Sequence, residues 1–192
     1  MSANTKKKKP VPVEADPNAS SRETYDWIQC LLVALIICVL IFMFCVRVID
    51  VIGASMNPTL FNGEKMLVSG LFYKPEVGDV VVFKKDEYDP NKLLVKRVIA
   101  VEGQEINMDF ENGIVYIDGV AIAEDYISEP TYNKLDFIGP KTVPEGCVFV
   151  LGDNRNSSRD SRYSQIGMVD ERMILGKVYA VVYPFSEFKW VR

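Results

Sequence analysis

Two residues of this chain are set for nucleophilic chemistry. Ser55 stands in Gly53-Ala54-Ser55-Met56-Asn57-Pro58-Thr59-Leu60, and Lys96 lies inside the apolar run Leu93-Leu94-Val95-Lys96-Arg97-Val98-Ile99. A serine hydroxyl is a weak nucleophile until a base takes its proton. The chain has no histidine, so a Ser-His-Asp triad, a Cys-His pair and a His-ligated zinc site are all excluded. A serine–lysine pair is the variant that works without an imidazole. Pro58 and Thr59 set a tight turn or helix start directly behind Ser55. Such a turn fixes a side chain at one angle and gathers backbone N–H groups that can receive a developing oxyanion.

The setting of Lys96 is the harder one to explain by structure alone. In a strand Leu94, Lys96 and Val98 share one face, and Val95, Arg97 and Ile99 the other. An edge-strand lysine would lay its stem on apolar surface and keep its ammonium in water. A base must instead be buried. Bringing a lysine from about 10.4 to about 7 takes about 3 pH units, or about 4–5 kcal/mol. Apolar neighbours supply that by desolvation, and a salt bridge would oppose it. A third segment, Gly152-Asp153-Asn154-Arg155-Asn156-Ser157-Ser158-Arg159-Asp160-Ser161-Arg162, follows an apolar strand. It reads either as a solvated turn or as a set of donors and acceptors that orients a neutral amine.

The elements that must hold these segments are strands. Val80–Phe83, Leu93–Val101, Val148–Leu151 and Lys177–Val182 are β-branched apolar runs bounded by turn residues. Asn112-Gly113 separates Ile106–Phe110 from Ile114–Ile117, and Asp118-Gly119 leads into Val120–Ile122. Both dipeptides predict type I′ hairpins, hence a meander of short strands. No strand–helix alternation is present, so a doubly wound sheet is not expected. The fold class is mainly β, an antiparallel sheet domain with few short helices. Residues 103–145 read as an excursion, either a small inserted subdomain or a long decorated loop.

Ahead of the β region, Ile28–Val46 carries no charge and only Gln29 as a strongly polar residue. Nineteen residues at about 1.5 Å each span roughly 28 Å, close to a bilayer core. The run is apolar on all faces, against a buried core helix, and no Ala-x-Ala-like site follows it, against a cleaved secretory signal. It predicts an uncleaved membrane anchor. Lys6, Lys7, Lys8, Lys9 and Arg22 precede the span, whereas only Arg47 and Lys65 fall in the twenty residues after it. That bias puts the N-terminus in the cytoplasm and residues 47–192 outside. Residues 1–27 form a basic tail, read as disordered from its lysine run and prolines. The outer part has 17 basic and 22 acidic residues in a chain of net charge −4, without a basic stripe, so no nucleic-acid partner is expected. Cys30, Cys38 and Cys45 lie in the span and Cys147 is alone outside, as a buried strand thiol; no Cys-x-x-Cys metal spacing occurs. Ser55 follows Val46 by nine residues, at most about 30 Å of extended chain, so it must lie near the outer membrane surface. Trp190, Phe185, Phe188, Leu71 and Phe72 are either interfacial anchors or, Trp190 aside, ordinary core residues.

Taken together and in order, these segments resemble the bacterial type I signal peptidases. The resemblance rests on the span, Ser-Met-x-Pro-Thr-Leu at 55–60, Gly-Asp-Val-Val-Val-Phe at 78–83, Lys-Arg-Val-Ile at 96–99 and Gly-Asp-Asn-Arg-x-x-Ser-x-Asp-Ser-Arg at 152–162. It covers most of residues 28–185, and the single anchor and small insert are similar to the Gram-positive branch. The resemblance implies Ser55 as nucleophile and Lys96 as general base, with the Ser158 hydroxyl holding the lysine amine. It implies supporting roles for Asp153, Asp160 and Arg162, and a pairing of Arg97 with Asp153. Val51, Ile52, Met56 and Val95 match the lining of shallow pockets for small side chains, which implies Ala-x-Ala-like cleavage sites in preprotein signal peptides. Some members carry a hydroxyl residue where this chain has Gly53, so the oxyanion hole is expected to rest on the Ser55 N–H with Gly53 assisting. Ile99-Ala100-Val101-Glu102-Gly103 replaces the more usual Ile-Gly-x-Pro-Gly after the base. No metal or cofactor is implied; the expected partners are signal peptides and the bilayer, and the expected state is a monomer. A self-cleaving repressor-type protease would share the serine–lysine pair but needs a DNA-binding region. An anchored adhesin-like β-domain would leave Ser55, Lys96 and Ser158 without a reason, and a transpeptidase built on Cys147 would lack its histidine.

Overall fold

A computed structural model describes residues 19–191. One helix, α1 (Ala19–Cys45), precedes a β-rich region, and the two form separate compact units divided between Phe42 and Met43. Within α1, Thr24–Ile41 is long and apolar enough to cross a membrane. The helix starts earlier than the apolar run, so residues 19–27, read as tail, are helical. Nothing between Ala19 and Ile28 is Gly or Pro, and an established helix extends through such residues at little cost. The lysine run lies outside the described residues.

The β region holds twelve strands: β1 (Arg47–Asp50), β2 (Lys65–Ser69), β3 (Val80–Lys84), β4 (Leu93–Val101), β5 (Glu105–Asp109), β6 (Ile114–Ile117), β7 (Val120–Ala121), β8 (Lys141–Thr142), β9 (Cys147–Leu151), β10 (Val169–Asp170), β11 (Ile174–Tyr183) and β12 (Lys189–Trp190). All pairings are antiparallel. The larger sheet runs β1-β2-β11-β3-β4-β9-β10, with β12 on β11, and the smaller runs β7-β6-β5-β8. The smaller sheet is built wholly from the excursion after β4. Only the Asp118-Gly119 turn has both central residues at positive φ (51° and 77°), as a type I′ hairpin requires. The β5–β6 connection is longer, residues 110–113, because the Asp109 carboxylate captures the Glu111 and Asn112 N–H groups (2.9 and 3.0 Å) and stops the ladder early.

Strand alternation divides the core. Val80 and Val82 pack with Val51, Met56, Leu60, Met66 and Val68, whereas Val81 and Phe83 pack with Leu94, Val98, Val148 and Val150 on the other face. A third cluster joins the smaller sheet to the larger through Ile106, Val115, Phe137, Phe149 and Leu151. β4 lies between β3 and β9, so its middle is fixed from both sides.

Candidate active site

Ser55 lies in the connection from β1 to β2. The base of that connection is closed by the Val51 N–H donating to the Glu64 carbonyl (2.8 Å) and the Gly63 N–H to the Val51 carbonyl (2.9 Å). Directly after Ser55, the Leu60 N–H donates to the Met56 carbonyl (2.9 Å), making one tight turn. Met56 and Leu60 are buried in the core, which pins the turn to the sheet.

Lys96 sits opposite Val81 in the middle of β4, on the face shared by Leu94 and Val98. It is only 3% exposed. Its Nζ lies 2.7 Å from Ser55 Oγ and donates to the Val95 carbonyl at 2.8 Å. Among the described residues no carboxylate is in ion-pair contact with it. Burial therefore lowers its proton affinity to a pKa of about 8, while Asp160 and Asp153 pull it upward from further off and Lys92 and Arg162 add to the lowering. An amine in this state can receive the proton of a hydroxyl 2.7 Å away.

The oxyanion site differs in part from the sequence reading. Among the described residues no acceptor takes the Ser55 N–H, so it is free to face a substrate oxygen. Gly53 does not assist in that way: its N–H is committed to Asn62 Oδ1 at 2.8 Å. The expected contact from Ser158 to the lysine amine is also not made. Ser158 is buried, and its Oγ has no hydrogen-bond partner among the described residues. It packs instead against Gly152, where a Cβ would lie 2.2 Å from Ser158 Oγ and 2.5 Å from the Ser55 carbonyl oxygen. Only glycine permits the loop to approach the nucleophile so closely.

The remaining supporting residues form a layer of paired charges. Arg97 grips Asp153 with two bonds, Nε to Oδ1 (2.9 Å) and Nη2 to Oδ2 (2.7 Å), and both residues are buried. Thr59 donates to the same carboxylate. Asp160 accepts from Arg162 Nε and Nη2 (2.8 Å each) and from the Gly152 N–H (3.1 Å). Three further residues, given no role in the sequence, belong to this layer. Asn154 holds the nucleophile's own backbone, its N–H on the Ser55 carbonyl (3.1 Å) and its Nδ2 on the Ala54 carbonyl (3.0 Å). Arg155 is fully buried, and the guanidinium carbon of Arg97 lies 4.0 Å from the ring centre of Tyr126. Arg155 and Asn154 were visible inside the polar loop; nothing in the sequence marks Tyr126.

Beside the pair opens a groove of about 390 Å³. All four predicted pocket residues line it, in different ways. Val51 and Met56 are buried and make its floor, Val95 is half-buried, and Ile52, 77% exposed, stands at the rim. Away from the groove, Leu71, Phe72, Phe185, Phe188 and Trp190 are all exposed, Phe72 almost completely, so none of them is a core residue. Cys147 is only half-buried, at the edge of the cluster under the smaller sheet.

Comparisons with known proteins converge on one family. A family model described as "Signal peptidase, peptidase S26" matches residues 24–183. A relative described as probable signal peptidase I-1, from Synechocystis sp. (strain ATCC 27184 / PCC 6803 / Kazusa), is 37% identical over 170 residues, covering 84% of this chain and 83% of its own length. Signal peptidase IB of Staphylococcus aureus (strain MRSA252) is 37% identical over 190 residues, covering 88% and 94%. A crystal structure of a signal peptidase I from Enterococcus faecalis V583 is 31% identical, covers 55% of this chain and 97% of its own, and superposes with a TM-score of 0.47.

Proposed function

The chain belongs to the signal peptidase family, peptidase S26, and from that premise we propose that Ser55 is its nucleophile and Lys96 its general base. It is a serine peptidase that cleaves signal peptides. In the proposed reaction the Lys96 lone pair takes the Ser55 proton while Oγ attacks the scissile carbonyl carbon. The carbonyl oxygen becomes an oxyanion and accepts from the Ser55 N–H. The tetrahedral species collapses, the C–N bond breaks, and Lys96 returns its proton to the leaving amine. The acyl ester left on Ser55 is hydrolysed by a water that Lys96 deprotonates in turn. No step calls for a metal or cofactor. Ser158 is assigned the acceptor for the second N–H of the neutral amine, since its buried hydroxyl is otherwise unpaired. The observation that carries this reading is a buried amine, without a counter-ion among the described residues, 2.7 Å from a serine oxygen.

The groove supports small residues at the first and third positions before the cut, hence Ala-x-Ala-like sites. The lysine and arginine bias around α1 supports a cytoplasmic N-terminus and a catalytic region on the outer face. Exposed Phe185, Phe188 and Trp190 are suited to the lipid interface.

The test is incubation of the detergent-solubilised chain and its Lys96→Ala variant with a preprotein, with the products weighed. The wild type is expected to cut once, after Ala-x-Ala, and the variant to lose at least about 10³-fold in rate. A cut that persists in the variant at similar rate removes Lys96 as the base.

A further inference from the structure

The loop that supports the dyad is itself held from the far side, by the segment that follows the smaller sheet's hairpins. Arg155 is the centre of the attachment. Its Nη2 lies 2.6 Å from Glu124 Oε1, with both side chains buried. Its Nη1 donates to Thr131 Oγ1 (3.0 Å) and its Nε to the Gly152 carbonyl (3.1 Å). Around it, the Tyr126 hydroxyl donates to Glu124 Oε1 (3.2 Å). Asn156 Oδ1 receives the N–H groups of Tyr132 and Asn133 (3.0 and 3.1 Å). Arg162 reaches both sides, donating to the Asn133 carbonyl and the Arg155 carbonyl (2.6 Å each). From the loop the connection continues to the nucleophile through the two bonds of Asn154 to Ser55 and Ala54.

We propose that Glu124 and Arg155 are positioning residues for the reaction. Their buried ion pair, with Thr131, sets the seat of the loop 152–162, and through it the register of Ser55 against Lys96. This rests on the serine–lysine reading of the site. A buried arginine is stable only while its partner is present, so the pair is a fixed post rather than a surface contact. The dyad demands such a post, because a displacement of about 1 Å at a reacting group can cost about 10²-fold in rate.

The charged groups that act on Lys96 come from every side of it. Asp153, Asp160 and Arg162 lie on the loop, and Lys92 precedes β4. Burial outweighs them all. Loosening the loop admits water to the amine, restores its hydration and raises its proton affinity. The groove floor of Val51 and Met56 belongs to other elements, whereas Ser157 and Arg159 of the loop line its wall, so substrate binding is affected less than the amine.

The experiment is Glu124→Gln in the full chain, which keeps size but removes the charge. Two quantities are read: the pH midpoint of Lys96 by competitive amine labelling with mass detection, and kcat and KM on a signal-peptide substrate. The midpoint is expected to rise by about one unit and kcat at pH 7 to fall about tenfold, because each unit removes about nine-tenths of the free amine there. KM is expected to change less than kcat. An unchanged midpoint and kcat, with only a lower melting temperature, would overturn the proposal and leave the pair purely structural. Should Glu124→Gln not fold, Thr131→Val removes a single bond to Arg155 and is expected to move both quantities the same way by less; no movement overturns it equally. Labelling separates the two ideas. A wild type that cleaves nothing defeats the peptidase reading, while the midpoint still decides the positioning claim.

Discussion

Lys96 and Arg97 are consecutive on β4, both buried, and project from opposite faces of the same strand. Arg97 meets the Asp153 carboxylate through two hydrogen bonds and lies over the Tyr126 ring. Lys96 meets a serine oxygen and a backbone carbonyl and, among the described residues, no carboxylate. The pair shows how one strand makes two kinds of buried cation. A cation with a carboxylate in hydrogen-bond contact keeps its charge and becomes architecture. A cation given only neutral partners is pushed toward losing its proton, and becomes a base. A related separation recurs in the loop, where Arg162 is hydrogen-bonded to Asp160 and Arg155 stands in ion-pair contact with Glu124. Acids are thus kept in contact with the arginines and at a distance from the lysine.

The comparison breaks first if Arg97 loses its partner. Asp153→Ala strands a guanidinium in the interior and is expected to cost about 3–5 kcal/mol of stability, measured by denaturant unfolding. A loss below about 1 kcal/mol would show that Arg97 reaches water. The lysine should behave in the opposite sense. Its folded pKa of about 8 lies below its ordinary 10.5, so the unfolded chain binds more protons between those values and stability rises with pH across that window. Below about pH 8 the full penalty of burying the ammonium applies, of order 3 kcal/mol. Lys96→Met should therefore be more stable than wild type at pH 7 by about that amount, and the gap should close as the pH approaches 10.5. A destabilised Lys96→Met at pH 7 would mean that the amine is anchored as a charge.

Much of this was legible from pattern. β4 showed itself by two charged residues set in a β-branched run, and the hairpin at Asp118-Gly119 by its dipeptide. The loop 152–162 showed itself as a dense polar segment behind an apolar strand. β1 was hidden because its apolar residues continue the anchor's hydrophobicity, and β2 because Lys-Met-Leu-Val-Ser is too short for its period to register. The insertion of β11 between β2 and β3 has no local signal, since those strands are distant in sequence. Glu124 and Tyr126, and the burial of Arg155, were unreadable for a different reason. In a sequence a polar stretch means water, and here their burial depends on partners about thirty residues away. The occupied Gly53 N–H is likewise a tertiary fact, fixed by the Asn62 side chain.

The central claim is that Lys96 works as a free amine made available by burial. The most direct measurement is the pH dependence of kcat/KM for signal-peptide cleavage by the detergent-solubilised full chain. A single rising limb with its midpoint at about 8 is expected, because only the deprotonated amine can take the Ser55 proton. The Lys96→Ala variant should show no such limb. A midpoint near the ordinary lysine value of 10.5, or a limb at about 8 that survives Lys96→Ala, would contradict the account.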